Sequence, residues 1–338
     1  MERTTRRRLL GSAAALGAAG ALGAFALARS SRPGSAMGDI GMGGGGALGP
    51  ELAAIERGNF AAIYSDPALR ARFLTFLTNV FHLYPEARMH ALIRAAANDS
   101  KDDRAAYQRI ERELPEIAPV LGAFRYALPA LRKQQSVMAE QTVQLLDGET
   151  RFEGYLEIGS DGRYLSALDD KLEIEGPIYT SSPKPPGYGP DEIIDRGRLT
   201  PVGTHLAMNG YAPFSTQELP SKSLQLVTIF VGLHHVPLAL REPYVVSIRD
   251  AMAPGATLIL RDHDVSSPQM QHLVALAHDV FNVGTEQPWS ANAQELRNFY
   301  PLEFIVGFLE QHGFVAKPAR LLQDGDPTLN TLLAFSKA

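Results

Sequence analysis

The sequence predicts an α/β protein in which a mostly parallel, doubly wound sheet follows an α-helical region. Three observations carry this expectation. From Glu51 to about Leu146 apolar residues recur at helical spacing, and after Asp147 short apolar runs alternate with amphipathic stretches to the C-terminus. The stretch "YLEIGSDGRYLSAL", residues 155–168, reads as a strand, a glycine turn and a helix. A chain of 338 residues that is 45% hydrophobic can bury the cores of about two domains. Its formal charge of -5 argues against nucleic acid as the main partner, because phosphate binding needs a basic face. The absence of cysteine excludes disulfides, thiolate metal sites, cysteine nucleophiles and iron–sulfur clusters.

The first 28 residues resemble a twin-arginine export signal. Arg6, Arg7 and Arg8 precede Leu9 and Leu10, a weakly apolar Ala/Gly/Leu run follows, and Ala26, Leu27 and Ala28 offer a small-x-small cleavage site. The resemblance implies the twin-arginine translocation machinery as a partner and a periplasmic or extracellular location, or tethering by an uncleaved leader. The run is too short for a comfortable membrane span of roughly 20 residues. Residues 29–50 are rich in Gly and Ser and read as a flexible tether.

Residues 51–146 read as a bundle of five or six helices. "SDPAL" supplies Ser65 or Asp66 as a helix cap with Pro67 in the first turn, and prolines 85, 115, 119 and 129 punctuate the later segments. No chemical motif falls here, and His82 and His90 read as structural or surface residues. The strands expected next are "GYLEIG", "LQLVTIFVG", "ATLILRD" and the terminal "TLLAFSKA". Between them lie the helices "GRYLSALDD", "LREPYVVSIRDAM" and "SPQMQHLVALAHDVFN". A last helix, "PLEFIVGFLEQHGF", leads to a strand near "VAKPARLLQ", so the chain ends on two strands joined by a short turn.

In this order the features of residues 151–338 resemble a class I S-adenosylmethionine (SAM) dependent methyltransferase. "YLEIGSDGR" occupies the place of that family's acidic-strand-glycine motif, and "LPSKSLQLVTIFVGLHHVP" that of its fourth strand. "LREPYVVSIRDAMAPGATLILRDHD" matches a helix, a Pro-Gly turn and the fifth strand, and "FLEQHGF" the helix before the sixth. The resemblance implies a Rossmann-like, seven-stranded sheet, SAM as cofactor and a small-molecule acceptor. It also implies that the loops after strands one, four and five meet in one cleft.

The cofactor positions implied are Glu157, Gly159, Ser160, Asp161, Gly162, Ser215 and His234. Several depart from the family pattern. "GSDGR" is one residue shorter than G-x-G-x-G and puts Asp161 at a usual glycine, while strand two offers only Tyr179, Thr180 and Ser181 where an acid normally binds the ribose. Ser215 stands in the place of the aspartate that contacts adenine, and Gln225 replaces the aspartate of "FDLV".

"GLHHVP" and "LRDHDV" place three histidines and two aspartates at adjacent strand ends. His235 or His263 is a candidate base for an acceptor hydroxyl or amine, since an imidazole titrates near neutrality. His234, His235, Asp262 and Asp264 are alternatively a candidate set for a divalent metal. His272 and His278, six residues apart, fall on different faces of their helix and read as structural or surface residues. The stretch around Trp289 reads as a lid or acceptor wall, or as an ordinary helix connection. SAM is made and kept in the cytoplasm, so export conflicts with repeated turnover; the alternative is an exported methyltransferase-like protein that binds a ligand or metal without catalysis.

Overall fold

The computed structural model describes residues 58–118 and 123–338. Residues 1–50, which read as an export signal and a tether, lie outside the described residues, as does Pro119. Among the described residues no helix is long and apolar enough to cross a membrane.

The helical region opens with α1 (Asn59–Ser65) and α2 (Pro67–Phe76). Asp66 is the cap of α2: its Oδ1 accepts from the amides of Ala68 and Leu69 at 2.7 and 3.1 Å, and Pro67, which has no amide hydrogen, takes the first position. Next come α3 (Glu86–Asp99), α4 (Asp103–Ile117) and α5 (Leu128–Leu145). Pro85 and Pro129 stand at helix starts, whereas Pro115 lies within the last turn of α4 instead of ending it. In that turn the chain continues for only two further helical residues, so Pro115 imposes little.

The second part contains β1 (Arg151–Ile158), α6 (Leu165–Asp169), β2 (Glu173–Ser182), α7 (Pro190–Arg196), β3 (Thr204–Ala207), β4 (Leu224–Ile229) and α8 (Leu238–Ala251). It closes with β5 (Met252–His263), α9 (Pro268–Gly284), the short α10 (Trp289–Asn292), α11 (Leu302–Gln311), β6 (Phe314–Leu322) and β7 (Asn330–Lys337). The seven strands pair in the order β3-β2-β1-β4-β5-β7-β6. Only β7 runs antiparallel to both its neighbours, as the short terminal connection requires. The order reverses between β1 and β4, which makes this the topological switch point of the sheet, with the loops after both strands at its carboxyl edge.

Two details differ from the sequence expectation. The Pro-Gly turn before strand five is absorbed into β5 as a bulge, between the pairings Leu224↔Met252 and Leu226↔Thr257, with Gly255 at φ 76°. The helix after the glycine turn is five residues long. Its share of the sheet face is covered by α5, whose Met138, Ala139 and Leu145 join Tyr155, Leu165, Leu168, Leu226 and Ile259 in one core. On the other side of the molecule Met270, Leu273, Leu276 and Phe281 of α9 share a core with Phe60, Phe73, Ile93 and Tyr107 of the helical region. That packing explains why α9 is buried continuously from Leu273 to Gly284.

Candidate functional site at the carboxyl edge

The turn after β1 is built by two glycines in left-handed conformations, Gly159 at φ 101° and Gly162 at φ 94°. A side chain at Gly159 would collide with Val231 in the loop after β4, so the two loops are in direct contact. Glu157 is 1% exposed, and its carboxylate curls back into the turn. It accepts from the Ser160 hydroxyl, from the Tyr164 amide at 3.3 Å and from the Tyr155 hydroxyl at 3.2 Å. Burial raises its pKa, and these donors oppose the shift. Glu157 therefore shapes the turn from beneath.

Asp161 points the other way, to the buried guanidinium of Arg196 at 3.0 Å. Arg163 forms a two-pronged pair with Asp195, both contacts 2.8 Å. Gln135 of α5 then ties the Arg163 and Asp195 carbonyls together at 2.9 and 3.0 Å. Thus α7, which follows β2, is bolted onto the rim of the glycine turn. At the end of β2 the Ser181 carbonyl accepts from the Gly159 amide at 2.8 Å, while the Ser181 hydroxyl is buried without a hydrogen-bond partner.

The loop after β4 carries a different arrangement. His234 and His235 lie in a short 3-10 turn, Leu233–His235, and are 4% and 3% exposed. His234 Nδ1 donates to Asp262 at the end of β5 at 2.6 Å, and the Leu233 amide donates to the same carboxylate at 2.7 Å. Burial opposes the charge on Asp262, but His234 and these donors hold its pKa down to about 2. His235 Nδ1 donates to the Leu296 carbonyl at 3.0 Å. Burial, with His234 beside it, pushes the pKa of His235 well below 6.5.

A third imidazole reaches this corner from α9. His278 is fully buried, with its Nδ1 3.1 Å from Glu295, and its ring lies 5.2 Å from that of His234 and 5.5 Å from that of His235. Burial lowers its pKa to about 4 despite the adjacent carboxylate. Glu295 is held well below the ordinary range: burial opposes ionisation, but His278 and Arg297 outweigh it. Arg297 bridges Glu295 and Asp279, both at 2.8 Å. Phe299 lies against the corner, its ring 5.2 Å from both the His234 and His278 rings.

The predicted site residues therefore divide. Glu157, Gly159, Ser160, Asp161 and Gly162 form the turn, and His234, His235 and Asp262 form the corner. His263 sits beside the corner, its Nδ1 3.0 Å from the Thr328 carbonyl and its Nε2 3.4 Å from the Asn330 amide nitrogen. Asp264 turns away to cap α11 through the Leu302 amide at 3.1 Å. Ser215 is not brought to this edge. It is exposed and donates to Glu218 at 2.7 Å, while the neighbouring Phe214 amide donates to Ser247 near the far end of α8. Because α8 returns from the carboxyl to the amino edge, that contact draws Ser215 toward the wrong side of the sheet for a cofactor.

His272 and His278 do face different ways: His272 bonds Asn59 of the helical region at 3.0 Å. His278 is buried and hydrogen-bonded to Glu295, as a structural residue can be, and its ring lies beside the corner. The available signal was a polar pair, His278 and Asp279, inside the apolar run "LVALAHDVFNV". The Trp289 stretch forms a wall, with Trp289 packed edge-on against Tyr107 and Glu295 closing over His278.

The strand order, the switch point and the glycine turn define a class I methyltransferase fold. No family model and no curated protein matches the chain. Among solved structures it is similar to the pyocyanin biosynthetic protein PhzM, at 15% identity over 81% of this chain and 74% of that one, with a TM-score of 0.45. It is similar to a Burkholderia thailandensis 1,6-didemethyltoxoflavin-N1-methyltransferase solved with S-adenosylhomocysteine, at 10% identity over 75% of this chain and 90% of that one, TM-score 0.41. A possible exported protein from Bordetella parapertussis is similar at 16% identity over 86% of this chain and 99% of that one, also with a TM-score of 0.41.

Proposed function

We propose that this chain performs SAM-dependent methyl transfer to a small-molecule acceptor at the carboxyl edge of the sheet. The observation that carries this reading is the turn at the switch point: glycines in left-handed conformations adjoin a buried, unpartnered Ser181 hydroxyl at the end of β2. A ligand hydroxyl there would satisfy Ser181, which stands where the acid for the ribose is missing. The cofactor would be held by the main chain of Gly159, Ser160 and Gly162 and by Ser181, with Glu157 fixing the turn. Bound SAM would supply the methyl group on a sulfonium.

The protein's own contribution is positioning and proton handling. Of the two candidate bases, His235 is the better suited, because its Nδ1 donates to the Leu296 carbonyl, which fixes the tautomer whose Nε2 carries the lone pair. His263 has both ring nitrogens engaged and acts as a brace between β5 and the β6–β7 turn. The twin-arginine-like leader fits this activity if methylation precedes export, in the compartment where SAM is made.

A second reading is an exported binding protein without turnover, favoured by the pair between Asp161 and Arg196, which already occupies the rim of the turn. Calorimetric titration of the full chain with SAM and with S-adenosylhomocysteine separates the two. The methyltransferase reading expects saturable binding of both; no heat from either at millimolar concentration rejects it and leaves the second reading.

A further inference from the structure

We propose that His234, His235 and His278 form a binding site for one divalent late transition-metal ion, foremost Zn²⁺. This ligand set differs from the one suggested by the sequence, since it takes an imidazole from α9 and leaves both aspartates out of the coordination sphere. One ring nitrogen from each histidine lies within 4.8 Å of the other two. A tetrahedral ion with bonds of ~2.05 Å would draw the nitrogens to roughly 3.4 Å, a closure that small side-chain rotations supply.

The hydrogen bonds orient the rings for this purpose. The Nδ1 atoms of His234, His278 and His235 face Asp262, Glu295 and the Leu296 carbonyl, all of which only accept. Each Nδ1 therefore carries the hydrogen, and in a neutral ring Nε2 is the nitrogen that presents a lone pair. In His234 and His278 that Nε2 is buried and has no hydrogen-bond partner. Two histidines held by carboxylates through Nδ1, each with a buried Nε2 that has no hydrogen-bond partner, match the outer-shell support that imidazole-bound metals use.

Charge provides a second, independent observation. Asp262 and Asp279 are buried beside the corner, the Glu295 side chain is 6% exposed, and Arg297 is the cation paired with the latter two. With neutral imidazoles these four side chains leave two formal negative charges, which a divalent cation balances. The donor chemistry selects the ion. Three nitrogens without thiolate suit Zn²⁺, Co²⁺, Ni²⁺ or Cu²⁺, whereas Mg²⁺ and Ca²⁺ require mainly oxygen. Three protein ligands leave a coordination position for water or for an acceptor oxygen.

The site stands on the corner alone, so it survives if the chain binds no SAM; an ion there takes the His235 Nε2 lone pair, so the role of His235 as base belongs to the metal-free chain. The test uses the full chain, freed of metal with a chelator and carrying no histidine tag, titrated with Co²⁺ alone. The expected result is one Co²⁺ per chain with visible absorption of a low-coordinate nitrogen site, displaced by equimolar Zn²⁺. His234→Gln and His278→Gln should each weaken Zn²⁺ binding about 100-fold, Glu295→Gln about 10-fold, and His272→Gln, which faces the helical region, not at all. Binding that is absent, or unchanged in His234→Gln and His278→Gln, overturns the proposal. Should those variants not fold, ring-nitrogen NMR of the wild-type chain decides: Zn²⁺ must shift the Nε2 resonances of His234 and His278, and unshifted resonances overturn the site equally.

Discussion

The turn after β1 and the corner after β4 are neighbours on one sheet edge, yet they treat their polar groups in opposite ways. In the turn, side chains close on one another: Glu157 on Ser160 and Tyr164, Asp161 on Arg196, Arg163 on Asp195. In the corner, carboxylates and a carbonyl take one nitrogen of each imidazole, and the Nε2 atoms of His234 and His278 remain without partners. A buried polar group that stays unsatisfied costs stability, so it marks a place where something outside the chain is accommodated. The corner and the Ser181 hydroxyl are two such places on the edge, and Arg196 Nε, in the guanidinium paired with Asp161, is a third.

Breaking the rim should have the largest effect. Asp195→Ala leaves the buried Arg163 guanidinium without its two-pronged partner and should destabilise the chain by about 3 kcal/mol, read from urea unfolding. A loss below about 1 kcal/mol would show that the rim is not held by this pair.

Acid should act on the corner. His278 has a folded pKa of about 4 against 6.5 unfolded, so its contribution to stability is fully present above pH 6.5 and is lost as pH falls through about 4. The metal-free chain should lose on the order of 2–3 kcal/mol over this window, and His278→Gln should flatten the decline. An unchanged pH profile in the variant would place the acid sensitivity elsewhere. The smallest effect belongs to Ser215→Ala. With its side chain exposed and bonded to Glu218, stability should change by no more than about 0.5 kcal/mol and affinity for S-adenosylhomocysteine should not change. A tenfold loss of affinity would return Ser215 to the cofactor site.

The sheet was legible because its signals are local: the apolar runs became β1, β4, β5 and β7, and the glycine turn needs left-handed residues that only its sequence positions supply. The corner was half legible. His234, His235 and Asp262 follow strands that the fold sets side by side, but His278 and Glu295 arrive through the packing of α9 and the wall after it. Nothing in their sequence spacing pairs them with residue 234. Ser215 failed for a related reason, since spacing counted back from strand four does not report which edge the connection follows. The path is set by the hydrogen bond from Phe214 to Ser247, a tertiary contact.

Hydrogen-exchange footprints of the full chain, taken separately with S-adenosylhomocysteine and with Zn²⁺, test the division of the edge most directly. Two separate footprints are expected. The nucleoside should slow exchange in residues 159–163 and 181–184 and leave 232–236 unchanged. Zn²⁺ should protect 232–236, 276–280 and 294–298 and leave the glycine turn alone. A single footprint shared by both ligands, or protection by Zn²⁺ confined to the turn, would contradict it.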